Sequence, residues 1–67
     1  MTHTPIESGH IKSVAYDGPG ETIEVKFNNG DIWQYPCSGE HYAGFMNSES
    51  KGQYFHKHIK KAGGKKV

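Results

Sequence analysis

Few residues of this 67-residue chain stand at spacings that suit catalysis or metal binding. Cys37 and His41 lie four residues apart across a predicted strand-to-helix turn, and a semi-buried thiol beside a surface histidine is the simpler interpretation. The pair supplies two metal ligands at most, whereas a structural zinc ion takes four. His56 and His58 would point about 200° apart on a helix, so they cannot chelate one ion. The sequence therefore predicts no catalytic residue, no metal site and no cofactor, and we do not expect an enzyme.

Lysines near the end of the chain are the stronger candidates for a functional surface. Residues 1–50 hold two lysines and seven acids, a net charge of −5, whereas residues 51–67 hold six lysines and no acid, a net charge of +6. A basic segment of this kind can bind phosphate, but it can equally be a solvated helix face followed by a tail. The candidate nucleic-acid-binding residues are Lys51, Lys57, Lys60, Lys61, Lys65 and Lys66, with Tyr54 as a stacking partner or as a half-buried edge of the core.

Length and composition limit the chain to one small domain. Hydrophobic residues make up 33% of the sequence, and eight residues are aromatic. Because each aromatic side chain can bury roughly 150–250 Å², most of them are expected inside. One cysteine gives no sign of an oxidising compartment, and no leader or run of roughly 20 apolar residues is present. We therefore expect a cytoplasmic protein without membrane contact.

Three strands are predicted in the first half of the chain. Residues 10–16 are rich in β-forming residues, and residues 22–27 alternate cleanly between apolar and polar side chains. Residues 32–35 form a third strand, which Pro36 ends because proline cannot donate to a ladder. Glycine-rich and asparagine-rich turns join the strands, so an antiparallel meander is expected.

The register of the second hairpin decides where Trp33 and Tyr35 point. A two-residue loop at Gly30 would place Lys26 opposite Trp33, and both rings would then face solvent and could stack on bases. A three-residue loop that ends in a Gly30 bulge would place Val25 opposite Trp33 and turn both rings inward. A shift of one residue in the register moves both side chains to the opposite face of the sheet. Because so short a chain needs large side chains in its core, the buried register is favoured.

The second half of the chain predicts two helices. Ser38 can cap the first, with Glu40 in its first turn, and this helix should end by Ser48. Ser50 and Gln53 fit a capping box for a second helix over residues 51–62. Each helix has an apolar face at helical spacing. The residues of these faces are Tyr42, Phe45 and Met46 in the first helix, and Phe55, Ile59 and Ala62 in the second.

The predicted fold is therefore α+β, with a three-stranded antiparallel β-meander followed by two α-helices packed on one face. Residues 1–9 would be a flexible N-terminal arm, residues 10–62 the folded domain, and residues 63–67 a basic C-terminal tail. The predicted core consists of Val14, Tyr16, Ile23, Val25, Phe27, Trp33, Tyr35, Tyr42, Phe45, Met46, Phe55 and Ile59.

Several runs of the sequence together resemble the KTSC domain family, over roughly residues 8–62. That family takes its name from the C-terminus of some lysyl-tRNA synthetases and also occurs as stand-alone bacterial and phage proteins. Its central aromatic pair is usually Tyr-x-Tyr, whereas the first aromatic here is Trp33. The runs that carry the resemblance are Ile11-Lys12-Ser13-Val14-Ala15-Tyr16-Asp17, Ile23-Glu24-Val25-Lys26-Phe27, Gly30, Trp33-Gln34-Tyr35, and Ser50-Lys51-Gly52-Gln53-Tyr54-Phe55 with Ile59.

The resemblance implies no cofactor and no known catalytic residue, and it implies an RNA-binding role by association with the synthetases. Two hypotheses follow. The first is a non-catalytic module that binds RNA, such as tRNA, or another nucleic acid through its basic C-terminal helix. The alternative is a protein–protein interaction module, an accessory of a bacterial or phage system with no nucleic-acid contact.

Overall fold

A computed structural model describes residues 2–6 and 8–67, and Met1 and Glu7, two positions of the predicted arm, lie outside the described residues. Within those ranges, five strands form one antiparallel sheet whose spatial order follows the chain. The strands are β1 (Thr4–Pro5), β2 (Ile11–Asp17), β3 (Thr22–Phe27), β4 (Ile32–Pro36) and β5 (Lys65–Lys66). The helices are α1 (Gly39–Asn47) and α2 (Lys51–Tyr54), and α2 continues as a π-helical turn (Phe55–Ile59) and a 3₁₀ turn (Lys60–Ala62).

The α+β class is confirmed, but the predicted three-stranded meander is wrong, because the antiparallel sheet has five strands. β1 and β5 add one strand to each edge of the sheet, in segments where no strand was predicted. Each is two residues long, too short to show the alternation by which a strand is recognised. Their composition suits an edge, because proline and lysine discourage pairing with a further strand.

The hairpin between β3 and β4 has the three-residue loop. The Phe27 N–H donates to the Asp31 carbonyl at 2.9 Å, and Val25 stands opposite Trp33. Gly30 adopts a φ of 94°, which a residue without a Cβ reaches easily. The register with inward-facing rings is therefore confirmed: Tyr35 is 5% exposed, and Trp33 is half-buried.

The core lies between the inner face of the sheet and the helices. Every predicted core residue is buried or packs against the buried cluster. The prediction missed Ile6, Ile11, Ala15 and Cys37, all of which are buried. Ile6 was missed because it lies in a segment without periodicity, beside the short strand β1.

Helix α1 forms as predicted. The Ser38 hydroxyl accepts a hydrogen bond from the His41 N–H at 3.2 Å, which satisfies one of the free donors of the first turn. At the other end, the Ser48 N–H donates to the Phe45 carbonyl at 3.2 Å. Phe45 is fully buried and anchors the helix to the core.

The second helical segment, residues 51–62, is less regular than predicted. The Lys60 N–H donates to the Phe55 carbonyl five residues earlier, which is the π-helical pattern. The predicted capping box is wrong, because the Ser50 side chain makes no cap bond; the Ser48 hydroxyl bonds the Ser50 backbone instead. Phe55 and Ile59 are buried as predicted, whereas Ala62 is exposed, since the 3₁₀ turn carries it away from the apolar face.

Candidate nucleic-acid interface

An open groove of about 790 Å³ lies between the start of β2 and the second helical segment. Three lysines, Lys51, Lys57 and Lys60, and two histidines, His10 and His56, line it. We call it the basic groove. The structure thus brings together three of the six candidate lysines along one concave surface.

Apolar packing fixes the two walls of the basic groove. Ile11 and Phe55 are buried beneath it, and the rings of Phe27 and Phe55 meet edge to face with centroids 5.7 Å apart. Gly52 allows the walls to approach closely, because a Cβ there would stand 3.3 Å from the Ser8 hydroxyl. The lysines therefore project from a wall whose position the core determines.

The basic groove keeps a positive character. Among residues 2–6 and 8–67, the lysine that pairs with a carboxylate is Lys66, with Asp31, so no groove lysine is paired with a described carboxylate. The Lys51 ammonium group donates to the Ser48 carbonyl at 3.2 Å, a neutral acceptor. One described acid, Glu49, lines the groove.

The other three candidate lysines lie elsewhere. Lys61 is exposed on the 3₁₀ turn and, within the described part of the chain, lines neither recess. Lys65 pairs with Gln34 across the edge of the sheet, and the Lys66 ammonium group lies 3.5 Å from an Asp31 carboxylate oxygen. Three of the six lysines therefore line the basic groove, and the other three lie outside it.

Tyr54 lies away from the basic groove, at the contact between the two helical segments. Its ring packs edge to face on Phe45 with centroids 6.4 Å apart, and the ring of His58 lies 4.5 Å away on its other side. A Cβ on Gly44 would collide with the Tyr54 hydroxyl. This position agrees with the alternative that Tyr54 is a half-buried edge of the core.

A second recess, about 490 Å³, adjoins the basic groove on the side of the β3–β4 hairpin. Phe27, Trp33, Tyr35, Lys60 and Gly64 line it, and we call it the aromatic recess. The rings of Trp33 and Tyr35 stack with centroids 6.3 Å apart and planes 20° from parallel. Burial raises the pKa of the Tyr35 phenol, so this ring stays neutral at physiological pH.

The outer face of the sheet carries a polar cluster that the sequence did not reveal. His3 Nε2 lies 2.6 Å from a Glu24 oxygen, and His3 Nδ1 lies 2.9 Å from the Ser13 hydroxyl. Gln34 donates to the second Glu24 oxygen at 3.1 Å. The hydrogen bonds from His3 and Gln34 lower the pKa of the Glu24 carboxyl. The cluster ties the N-terminal segment to three strands.

The residues considered for catalysis and metal binding differ in burial. Cys37 is buried, its thiol donates to the Ser38 carbonyl at 3.5 Å, and burial raises the pKa of the thiol. His41 is exposed. Within the described ranges, no three histidine, cysteine or acidic residues are grouped as metal ligands, and no helix is long and apolar enough to cross a bilayer.

Comparison with known proteins places this fold in a family. The sequence profile of the KTSC domain matches residues 7–62. Two curated lysine–tRNA ligases are similar over 57 residues, one from Trichormus variabilis at 35% identity and one from Nostoc sp. at 37%. Each alignment covers 81% of this chain and 10% of the ligase. The crystal structure of a KTSC domain protein from Yersinia pestis has a TM-score of 0.89 and 30% identity, with 98% of this chain and 96% of that chain covered.

The fold and the matched region define a small α+β module. This chain belongs to the KTSC domain family, as the resemblance in the sequence predicted. It spans about a tenth of the length of the curated relatives that it matches. The KTSC domain is not itself a catalytic domain, although some of its relatives are parts of an enzyme.

Proposed function

We propose that this chain is a non-catalytic module that binds RNA through the phosphates of its ligand. The observation that carries the proposal is the basic groove, in which Lys51, Lys57 and Lys60 line one concave surface without a described acidic partner. Lysine ammonium groups bind phosphate as point charges, and release of counterions from the nucleic acid drives such binding.

The relatives support tRNA as the ligand to test first. Both curated relatives are named lysine–tRNA ligases, and a module within such a protein works close to tRNA. The same context supports a cytoplasmic location.

Salt dependence gives the proposal a quantitative form. The logarithm of affinity falls linearly with the logarithm of salt concentration, by about 0.7 for each neutralised phosphate of a single strand. Three groove lysines would therefore give a slope of roughly −2. A ligand held by apolar contacts would show almost no slope.

The test is a titration of total tRNA at several salt concentrations with the wild-type protein and with the double variant Lys57→Ala/Lys60→Ala. The variant should bind on the order of tenfold more weakly at low salt, and its slope should shrink toward about −0.7 because two phosphate contacts are lost. Lys61→Ala/Lys65→Ala is the matched control, since it removes the same charge from outside the groove.

Two results would contradict the proposal. Binding that does not change with salt would exclude phosphate contacts, and equal losses in the two double variants would show that net charge matters rather than the groove. Recovery of a protein from nuclease-treated lysate, together with no affinity for tRNA at low salt, would favour the protein–protein alternative.

A further inference from the structure

We propose that the ligand of the basic groove is single-stranded and that one of its bases stacks on Trp33 in the aromatic recess. This inference rests on the proposed function and specifies the form of nucleic acid that the surface accepts.

The two recesses are neighbours. Phe27 and Lys60 line both of them. A strand with a phosphate on Lys60 therefore lies beside the aromatic recess that contains Trp33. Binding through phosphate contacts alone would not require an aromatic recess beside the lysines.

The aromatic recess is suited to one face of a base. Trp33 is half-buried, so part of its ring meets solvent while its other contacts hold it in place. Tyr35 stacks beside it, and Phe55 supports Tyr35 from below with centroids 5.0 Å apart. A ring already fixed by its neighbours loses little conformational freedom when a base stacks on it.

Stacking on Trp33 selects against a duplex. Asn29 and Asp31 line the rim of the recess, where the Asn29 side chain donates to one Asp31 carboxylate oxygen at 3.4 Å and the Lys66 ammonium group lies 3.5 Å from the other. In a duplex, each base is stacked between neighbours and its pairing edge is occupied, so a base enters the recess only after unpairing. The surface therefore fits a loop or a single-stranded end.

Trp33 is the sole tryptophan of the chain, so its fluorescence reports stacking without any substitution. The probes are an eight-residue oligoadenylate, an abasic ribose-phosphate of the same length, and a duplex of the same length, each titrated at low salt. Oligoadenylate should quench Trp33 and bind about 5- to 150-fold more tightly than the abasic chain, the range that one stacked base contributes. The duplex should bind more weakly than oligoadenylate and should not quench Trp33.

Substitutions distinguish the contribution of the Trp33 ring to binding from that of the lysine charges. Trp33→Leu should reduce the affinity for labelled oligoadenylate to that for the abasic chain and leave abasic binding unchanged. Trp33→Phe keeps an aromatic ring and should retain most of the difference, which guards against a variant that merely fails to fold. Lys60→Ala should weaken both ligands, whereas Lys61→Ala should weaken neither.

The two proposals fail in distinguishable ways. Equal affinity for the intact and abasic chains, a duplex that binds as tightly as oligoadenylate, or Trp33 fluorescence that oligoadenylate leaves unchanged would overturn the stacked base and leave the basic groove standing. Absence of binding to every probe at low salt would overturn the basic groove and the stacked base together.

Discussion

Lys60 and Lys61 are chemically identical neighbours with different surroundings. Lys60 lines both the basic groove and the aromatic recess, whereas Lys61 lines neither within the described residues. Helical spacing assigned both to one exposed face, because a regular α-helix was assumed through a segment that contains a π-helical turn. The difference between the two lysines therefore depends on backbone hydrogen bonds that composition does not predict.

The hydrogen bonds of Glu24 could not be predicted from the sequence either, because they too depend on tertiary structure. Its partners are His3 and Gln34, and His3 in turn bonds Ser13, so the cluster joins three other segments of the chain. Their meeting depends on the register of three neighbouring strands and on β1, which was not predicted. The alternation in β3 placed Glu24 on the outer face correctly, but not beside a histidine.

We predict that Glu24 makes the stability of the fold depend on acidic pH. Because its pKa is lowered in the folded state, its contribution is present above the unfolded value, about 4.3, and disappears as the pH falls through the folded value. Glu24→Gln should cost on the order of 1 kcal/mol of unfolding free energy at pH 6 and less at pH 3. Urea unfolding at both pH values measures this.

The control for Glu24→Gln is a variant that removes His3, the partner of Glu24 in the shortest hydrogen bond of the cluster. His3→Ala should remove much of the same increment, and the double variant should cost clearly less than the sum of the two single variants, since both act on one interaction. A Glu24→Gln curve that runs parallel to the wild type from pH 6 to pH 3 would disprove the role of Glu24.

At the scale of elements, the long strands and α1 were predictable and the short strands were not. β3 shows six residues of alternation and α1 has a side-chain cap, so local sequence determines both. β1 and β5 form because β2 and β4 offer backbone hydrogen-bond partners at the edges of the sheet. The availability of these partners is a property of the tertiary structure. Local patterns therefore identified the centre of the sheet but not its edges.

The turn from the helical segment into β5 depends on Gly64, which lies against the ring of Tyr35. A Cβ at Gly64 would stand 2.6 Å from two further ring atoms, Cδ1 and Cζ, and Tyr35 is buried and cannot move aside. We predict that Gly64→Ala lowers the unfolding free energy by about 1–3 kcal/mol, as overpacking usually does. Urea unfolding of the purified variant measures this.

Gly9→Ala is the matched control for Gly64→Ala. Nothing lies within 4 Å of a Cβ at Gly9, so its effect should stay within about 0.5 kcal/mol. Equal stability of the Gly64→Ala variant and the wild type would mean that β5 does not hold this position against the sheet.

At the scale of the molecule, the charge division seen in the sequence is only partly kept in space. Residues 51–67 carry a net charge of +6, yet Lys66 pairs with Asp31 from the acidic part of the chain. The groove lysines instead face residues 8–11, which include no acidic residue and no lysine. Folding thus places an N-terminal wall without acidic residues opposite a basic helical wall, and the basic groove belongs to the whole domain rather than to one helix.

The most direct test of this surface is an amide and indole chemical-shift map of the whole domain during titration with total tRNA at low salt. We predict that the shifts concentrate in residues 8–11, in residues 51–60 and at the indole N–H of Trp33, and that they diminish as salt is added. Shifts confined to the outer face around His3 and Glu24, with Lys57 and Lys60 unchanged, would contradict RNA binding through the basic groove.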